Sequence, residues 1–223
     1  MLKDIILEFD GDSERLKTDD IYDYKGEKDL TTVKSLEAKV DTTEITLSSL
    51  GSVFPSLQKL RLNNSIISSV RDIGCYFCHL RFLSLADCGI SSLDGISTIS
   101  PNLEEVYLAF NEITDMSDLL GLNNLRILDL EENNIKNLSD IEILSCCSKL
   151  RAITLAGNPC AESEHYREDV RKYIPQLVYL DEKRIVPKKQ QAKTPQKQTI
   201  VKELDHRKET QVPSTPTPIS RPT

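Results

Sequence analysis

One eleven-residue pattern recurs five times in this chain and restricts the possible fold more than any other feature. The copies are LQKLRLNNSII, LRFLSLADCGI, LEEVYLAFNEI, LRILDLEENNI and LRAITLAGNPC. Each follows L-x-x-L-x-L-x-x-N/C-x-I, with Ser65 and Cys88 replacing Asn in the first two. The apolar residues at the fourth position are Leu60, Leu83, Val106, Leu128 and Ile153, spaced 23, 23, 22 and 25 residues apart. A second pattern fills the rest of each unit, in IISSVRDI, GISSLDGI, EITDMSDL and NIKNLSDI. Its apolar positions are Val70, Leu93, Met116 and Leu138, then Ile73, Ile96, Leu119 and Ile141 three residues later.

These spacings have direct structural consequences. In L-x-L the two apolar side chains share one face of a short strand, because strand side chains alternate. Apolar residues three apart suit a 3₁₀ or short α turn facing inward. Strands from successive units then stack in parallel, and the turns cover the core behind them. Asn at the ninth position turns the chain and can bond neighbouring backbone groups, so Asn111, Asn133 and Asn158 are expected to form a ladder. No unit buries its core alone, so stability is a sum over neighbours. The expected fold class is an α/β solenoid, curved and right-handed, with a parallel sheet on its concave side.

The ends differ from the repeats. After the last copy, Tyr166, Val170, Tyr173, Ile174 and Leu177 lie at the steps of an amphipathic helix. Pro175 ends that helix, and LVYLD supplies a last strand. The segment from Asn158 to Asp181 resembles the C-terminal cap of intracellular leucine-rich-repeat proteins. The organisation read from the sequence is an acidic lead-in over 1–32, repeats over 33–157 beginning with an irregular unit near Val33 to Val40, a cap over 158–183 and a basic Pro/Thr-rich tail over 184–223. The tail has few large apolar residues, so it is expected to be disordered. Thr194, Thr215 and Thr217 each precede proline there.

Composition excludes several functions. The net charge is −7, yet from Arg184 onward nine Lys and Arg face three acids, so the preceding residues carry −13. An acidic body argues against nucleic acid as the partner. No 18-residue apolar run and no basic, unbroken apolar leader occur, which points to no membrane partner and to the cytoplasm or nucleus. The six cysteines form no cluster flanking the repeats, so reduced thiols are expected. No phosphate-cradling glycine loop or nucleophile motif appears, so no enzyme, catalytic residue or cofactor is expected. Cys75, Cys78 and His79 look like half a zinc site, but Cys146 and Cys147 lie about three repeats away. No metal is expected. Cys75 and Cys78 are read instead as small apolar residues packed behind the sheet.

A partner would use the outward strand positions. Phe82, Tyr107 and Phe110 fall on adjacent strands, about 4.8 Å apart, and clustered exposed aromatics are usual interface anchors. Glu105, Asp129, Glu131 and Glu132 add an acidic field beside them, with Asp87 at its margin. A basic partner segment against this aromatic centre fits both. Two plainer readings stand beside this one: Phe110 could pack over its own repeat, and the acids could serve solubility alone.

The 22-residue unit resembles the intracellular leucine-rich-repeat subclass. Within it, SVRDIG through CGISSLDGIS, with the preceding VKSLEAKVDTTEITLSSLG, resembles the leucine-rich-repeat-containing protein 56 family over roughly residues 30 to 181. That resemblance implies a protein of motile cilia and flagella, working in assembly or intraflagellar transport of axonemal outer dynein arms. It implies dynein-arm or intraflagellar-transport components as partners of a monomeric chain, and no catalytic residues. The alternatives are a regulatory subunit of a protein phosphatase 1-type enzyme and a nuclear RNA-processing scaffold.

Overall fold

The computed structural model describes residues 4–6, 30–44, 47–75 and 77–185, with the backbone alone for 4–6. The tail beyond Ile185, its Thr-Pro sites and most of the 1–32 lead-in lie outside the described residues.

Nine strands form one open sheet in sequence order. They are β1 (Asp4–Ile6), β2 (Ser35–Glu37), β3 (Lys59–Arg61), β4 (Phe82–Ser84), β5 (Glu105–Tyr107), β6 (Ile127–Asp129), β7 (Ala152–Thr154), β8 (Tyr179–Leu180) and β9 (Lys183–Arg184). All pairings from β1 to β8 are parallel, and β9 turns back antiparallel on β8. The register follows the repeat: Leu60, Leu83, Val106, Leu128 and Ile153 pair in line. Leu62, Leu85, Leu108, Leu130 and Leu155 are buried beside them, so each L-x-L contributes two side chains to one core. Strand β1 pairs with β2 and brings Ile5 into line with Leu36 and Leu60.

The turn segments cover the core from behind. They are 3₁₀ turns at Val70–Ile73, Ser117–Gly121 and Leu138–Cys146, with short helices α1 (Leu50–Val53) and α2 (Ile96–Ile99). Val70, Ile73, Leu93, Ile96, Met116, Leu119 and Ile141 are buried as the three-residue spacing requires, while Leu138 is only partly buried. The longest repeat places its extra residues in the nine-residue 3₁₀ stretch Leu138–Cys146.

The polar ladder holds the outer turn of each repeat. Asn111 Oδ1 accepts from the N–H groups of Cys88 (3.1 Å) and Ile90 (3.0 Å), and its Nδ2 donates to the carbonyls of Leu85, Leu108 and Ala109. Asn133 and Asn158 repeat this one and two units on, accepting from Ile113 and Ile135. Ser65 Oγ accepts from Val40 N–H, and the Cys88 thiol donates to Leu62 O and Ala86 O. Past Asn158, a carboxylate takes over: Asp181 accepts from Leu155 N–H and from the Tyr166 hydroxyl.

The cap closes the core with α3 (Tyr166–Tyr173), whose Tyr166 and Val170 are buried together with Ile174 and Leu177 just beyond it. Acids in its first turn and bases in its last suit the helix dipole. The zinc-like segment departs from expectation. Cys78 is exposed and Cys75 half-buried, and it is Phe77 that fills the core. The turn into β4 points Phe77 and Leu80 inward, three residues apart, which leaves Cys75 and Cys78 off the inward face. Among the described residues, no group of three or more His, Cys, Asp or Glu stands close enough to hold a metal, and no helix is long and apolar enough to cross a membrane.

Candidate protein-binding face

The sheet face opposite the core is built from the x positions of each repeat. Its first column runs Lys59, Phe82, Glu105, Ile127, Ala152 and Tyr179, in register across β3 to β8. The second runs Arg61, Ser84, Tyr107, Asp129 and Thr154. Not every x position is open. Ser84 is buried, its hydroxyl donating to Asn63 Oδ1 (2.7 Å), and Ala109 is buried as well.

Phe82 and Tyr107 meet diagonally, with ring centroids 5.0 Å apart and planes tilted by 35°. Lys59 Nζ and Arg61 Cζ lie 6.0 and 5.7 Å from the Phe82 centroid, within reach of a cation–π attraction. Arg61 also pairs with Glu37 at 3.1 Å. The Tyr107 hydroxyl donates to Glu105 Oε2, and burial, followed by the nearby Glu105 charge, raises its ionisation range. The aromatic centre is thus a two-ring platform capped by bases on its β3 side.

Phe110 stands apart. It makes no ring–ring contact among the described residues and is 55% exposed. Its backbone is left-handed, as is that of every residue preceding a ladder position: Asn64, Asp87, Phe110, Glu132 and Gly157, with φ from 51° to 75°. Asn, Asp and Gly adopt this conformation readily, and a bulky residue does not. The two ill-suited residues, Phe110 and Glu132, are both members of the predicted contact set. Strain held at exposed side chains points to a role outside the fold. Phe110→Asn is therefore expected to stabilise the chain by about 0.5–1 kcal/mol while weakening partner capture. Paired thermal unfolding and pull-down measurements check this; a drop in stability would show that Phe110 is there for packing.

On the β6 side the face turns acidic. Asp129 accepts the Glu131 N–H at 3.1 Å. Burial raises its ionisation range, the Glu131 N–H opposes that, and the Glu182 charge adds to it. Glu131 is raised as well, first by burial and then by Asp129, Glu132, Glu182 and Asp181. The field is therefore wider than Glu105, Asp129, Glu131 and Glu132, for Asp181 and Glu182 from the cap join it. Tyr179, 45% exposed in the first column, extends the apolar row in the same way. Reading LVYL as one more L-x-x-L unit would have placed Tyr179 on this face, and the two acids follow it directly in sequence.

Known proteins agree with this architecture. Human leucine-rich repeat-containing protein 56 is 42% identical over 166 residues, covering 69% of this chain and 30% of its own length. The leucine-rich repeat-containing protein 56 homolog of Trypanosoma brucei brucei is 34% identical, covering 61% of this chain and 18% of its own length. The probable U2 small nuclear ribonucleoprotein A' of Caenorhabditis elegans is 30% identical, covering 58% and 52%. The chain thus spans under a third of the length of the first two relatives. The leucine-rich repeat family pattern matches residues 58–207, more than half of the chain. With its repeats, Asn ladder and parallel sheet in place, the chain belongs to the leucine-rich repeat family of protein-interaction domains.

Proposed function

We propose that the chain is a non-enzymatic adaptor in the assembly or intraflagellar transport of axonemal outer dynein arms, working in the cytoplasm and in motile cilia or flagella. The observation that carries this reading is the 42% identity to leucine-rich repeat-containing protein 56, together with the run from Ser69 to Ser97 that resembles that family. The open face supplies the means. Phe82 and Tyr107 offer an aromatic anchor, and Glu105, Asp129, Glu131 and Glu132, with Phe110 between them, attract a basic segment of a dynein-arm or transport component. Nothing in this role requires a cofactor, a metal, nucleic acid or a membrane, and a monomer suffices.

A second reading is a nuclear RNA-processing scaffold, favoured by the 30% identity to the U2 ribonucleoprotein A' of Caenorhabditis elegans. Tagging the chain in a flagellated cell, imaging it and identifying what co-purifies from cell bodies and from isolated flagella separates the two. Dynein-arm or intraflagellar-transport subunits are the expected result. A nuclear signal with splicing proteins would overturn the ciliary reading and leave the fold untouched.

A further inference from the structure

The strands begin on an edge whose charge is opposite to that of the body. One residue before each strand, Gln58, Arg81, Glu104, Arg126, Arg151 and Val178 form a continuous backbone ladder, each N–H donating to the carbonyl of the one before. Three of these are arginines in a body that carries −13 up to residue 183. Beside Arg126 and Arg151 opens a cleft lined by Glu104, Asn124, Arg126, Lys149 and Arg151.

The cations there are held in place by groups that leave most of their donors free. Arg151 Nη1 donates to the carbonyls of Ser148 and Leu150, at 2.9 and 2.8 Å. Lys149 Nζ donates to Asn124 Oδ1 at 2.7 Å, and Asn124 Nδ2 in turn donates to Pro101 O. Glu104 lies between Arg81 (3.2 Å) and Arg126 (3.6 Å) and ties both guanidinium groups to the sheet. One carboxylate thus serves two arginines, and neither Lys149 nor Arg151 has a carboxylate partner among the described residues. Four cations against one acid leave a local excess of three positive charges. Guanidinium groups fixed on one side and open on the other suit bidentate recognition of carboxylate or phosphate.

We infer that this edge is a second binding site, independent of the open face, for a short acidic peptide segment of a protein partner. Its length selects that ligand. Arg81 to Arg151 spans three strand spacings, roughly 14 Å, which matches about four residues of extended peptide. A nucleic acid needs a longer basic track, and the acidic field of the neighbouring face repels a polyanion that overruns the cleft.

The test is fluorescence anisotropy on the full chain. The probes are a labelled peptide of consecutive Asp and Glu, its phosphoserine counterpart, its Gln counterpart and a short duplex DNA. The acidic peptide should bind, the Gln peptide should not, and raising salt should weaken binding. Reversing Arg126→Glu and Arg151→Glu together should weaken it by about tenfold or more. That loss isolates the cleft from the basic residues beyond Ile185. Both side chains are exposed, and the milder Lys149→Gln with Arg151→Gln should show a smaller loss in the same direction. Preference for the phosphoserine peptide over the carboxylate peptide would support the site and name the anion. Phe82→Ala should leave this binding unchanged, so failure here is distinct from failure of the open face. Equal binding of the Asp/Glu and Gln peptides, unchanged binding by both cleft variants, or tighter binding of duplex DNA would each overturn the inference.

Discussion

Asn133→Ala is expected to remove about 3 kcal/mol of stability, because it strips the partner from a buried N–H that has no other. Asn133 Oδ1 accepts the Ile113 N–H at 3.0 Å, and Ile113 is fully buried. Its Nδ2 reaches the carbonyls of Leu108, Leu130 and Glu131. Leu108 O keeps a bond from Asn111, and Leu130 O keeps one from Asn158, so those acceptors stay satisfied. The donor does not, and alanine offers it no acceptor in place of the fixed amide oxygen. For a chain of this size, that loss lowers the unfolding midpoint by roughly 6–12 °C. Cys88→Ala is the control. Cys88 fills the same slot, but its thiol donates to Leu62 O and Ala86 O, and the backbone groups of Ser65 and Asn64 meet a sulfur, a far weaker acceptor than an amide oxygen. Its loss is expected to cost about 1 kcal/mol, from packing and these weak sulfur contacts. Equal effects of the two substitutions in a thermal melt would mean that the ladder bonds carry little, and that side-chain volume decides stability here.

Phe82→Ala combined with Tyr107→Ala is expected to weaken partner capture by about a hundredfold or more, since two anchor residues are removed at once. The rings touch at 5.0 Å but are only half-buried, so the fold should lose about 2 kcal/mol, less than from the ladder variant. A midpoint that falls further than for Asn133→Ala would show the rings to be core. Unchanged capture would move the partner off this face. The acids beside the rings add a pH dependence of known sign. Asp129 and Glu131 hold their protons to higher pH than exposed carboxylates, because burial and mutual repulsion disfavour the charged forms. A basic segment needs them ionised, so capture should be strongest above their raised range and weaken as pH falls through it. The free chain behaves in the opposite sense. Between the unfolded and the raised folded values the native state binds more protons, so these two groups add stability as pH falls. Binding isotherms and melts collected over the same pH series check both trends.

The repeat unit determined most of this architecture by itself. Leu60, Leu83, Val106, Leu128 and Ile153 pair in register because alternation allows an L-x-L strand only one buried face. The ladder role of Asn111, Asn133 and Asn158 was equally legible, since an amide can accept and donate at one turn. The cap helix followed from the spacing of Tyr166, Val170 and Ile174. Only the tertiary structure decided what the surface does. Alternation places Ser84 outward, yet it is buried and bonded to Asn63 in the turn after the neighbouring strand. Cys78 fits the composition of a core residue, but Phe77 takes the inward position. Asp181 and Glu182 reach the acidic face from the turn that follows β8. The basic edge is invisible along the chain, because Arg81, Arg126 and Arg151 stand more than 20 residues apart and become neighbours only when parallel strands stack at about 4.8 Å. Local spacing governs which side chain faces inward; electrostatic patches depend on which repeats stand beside each other.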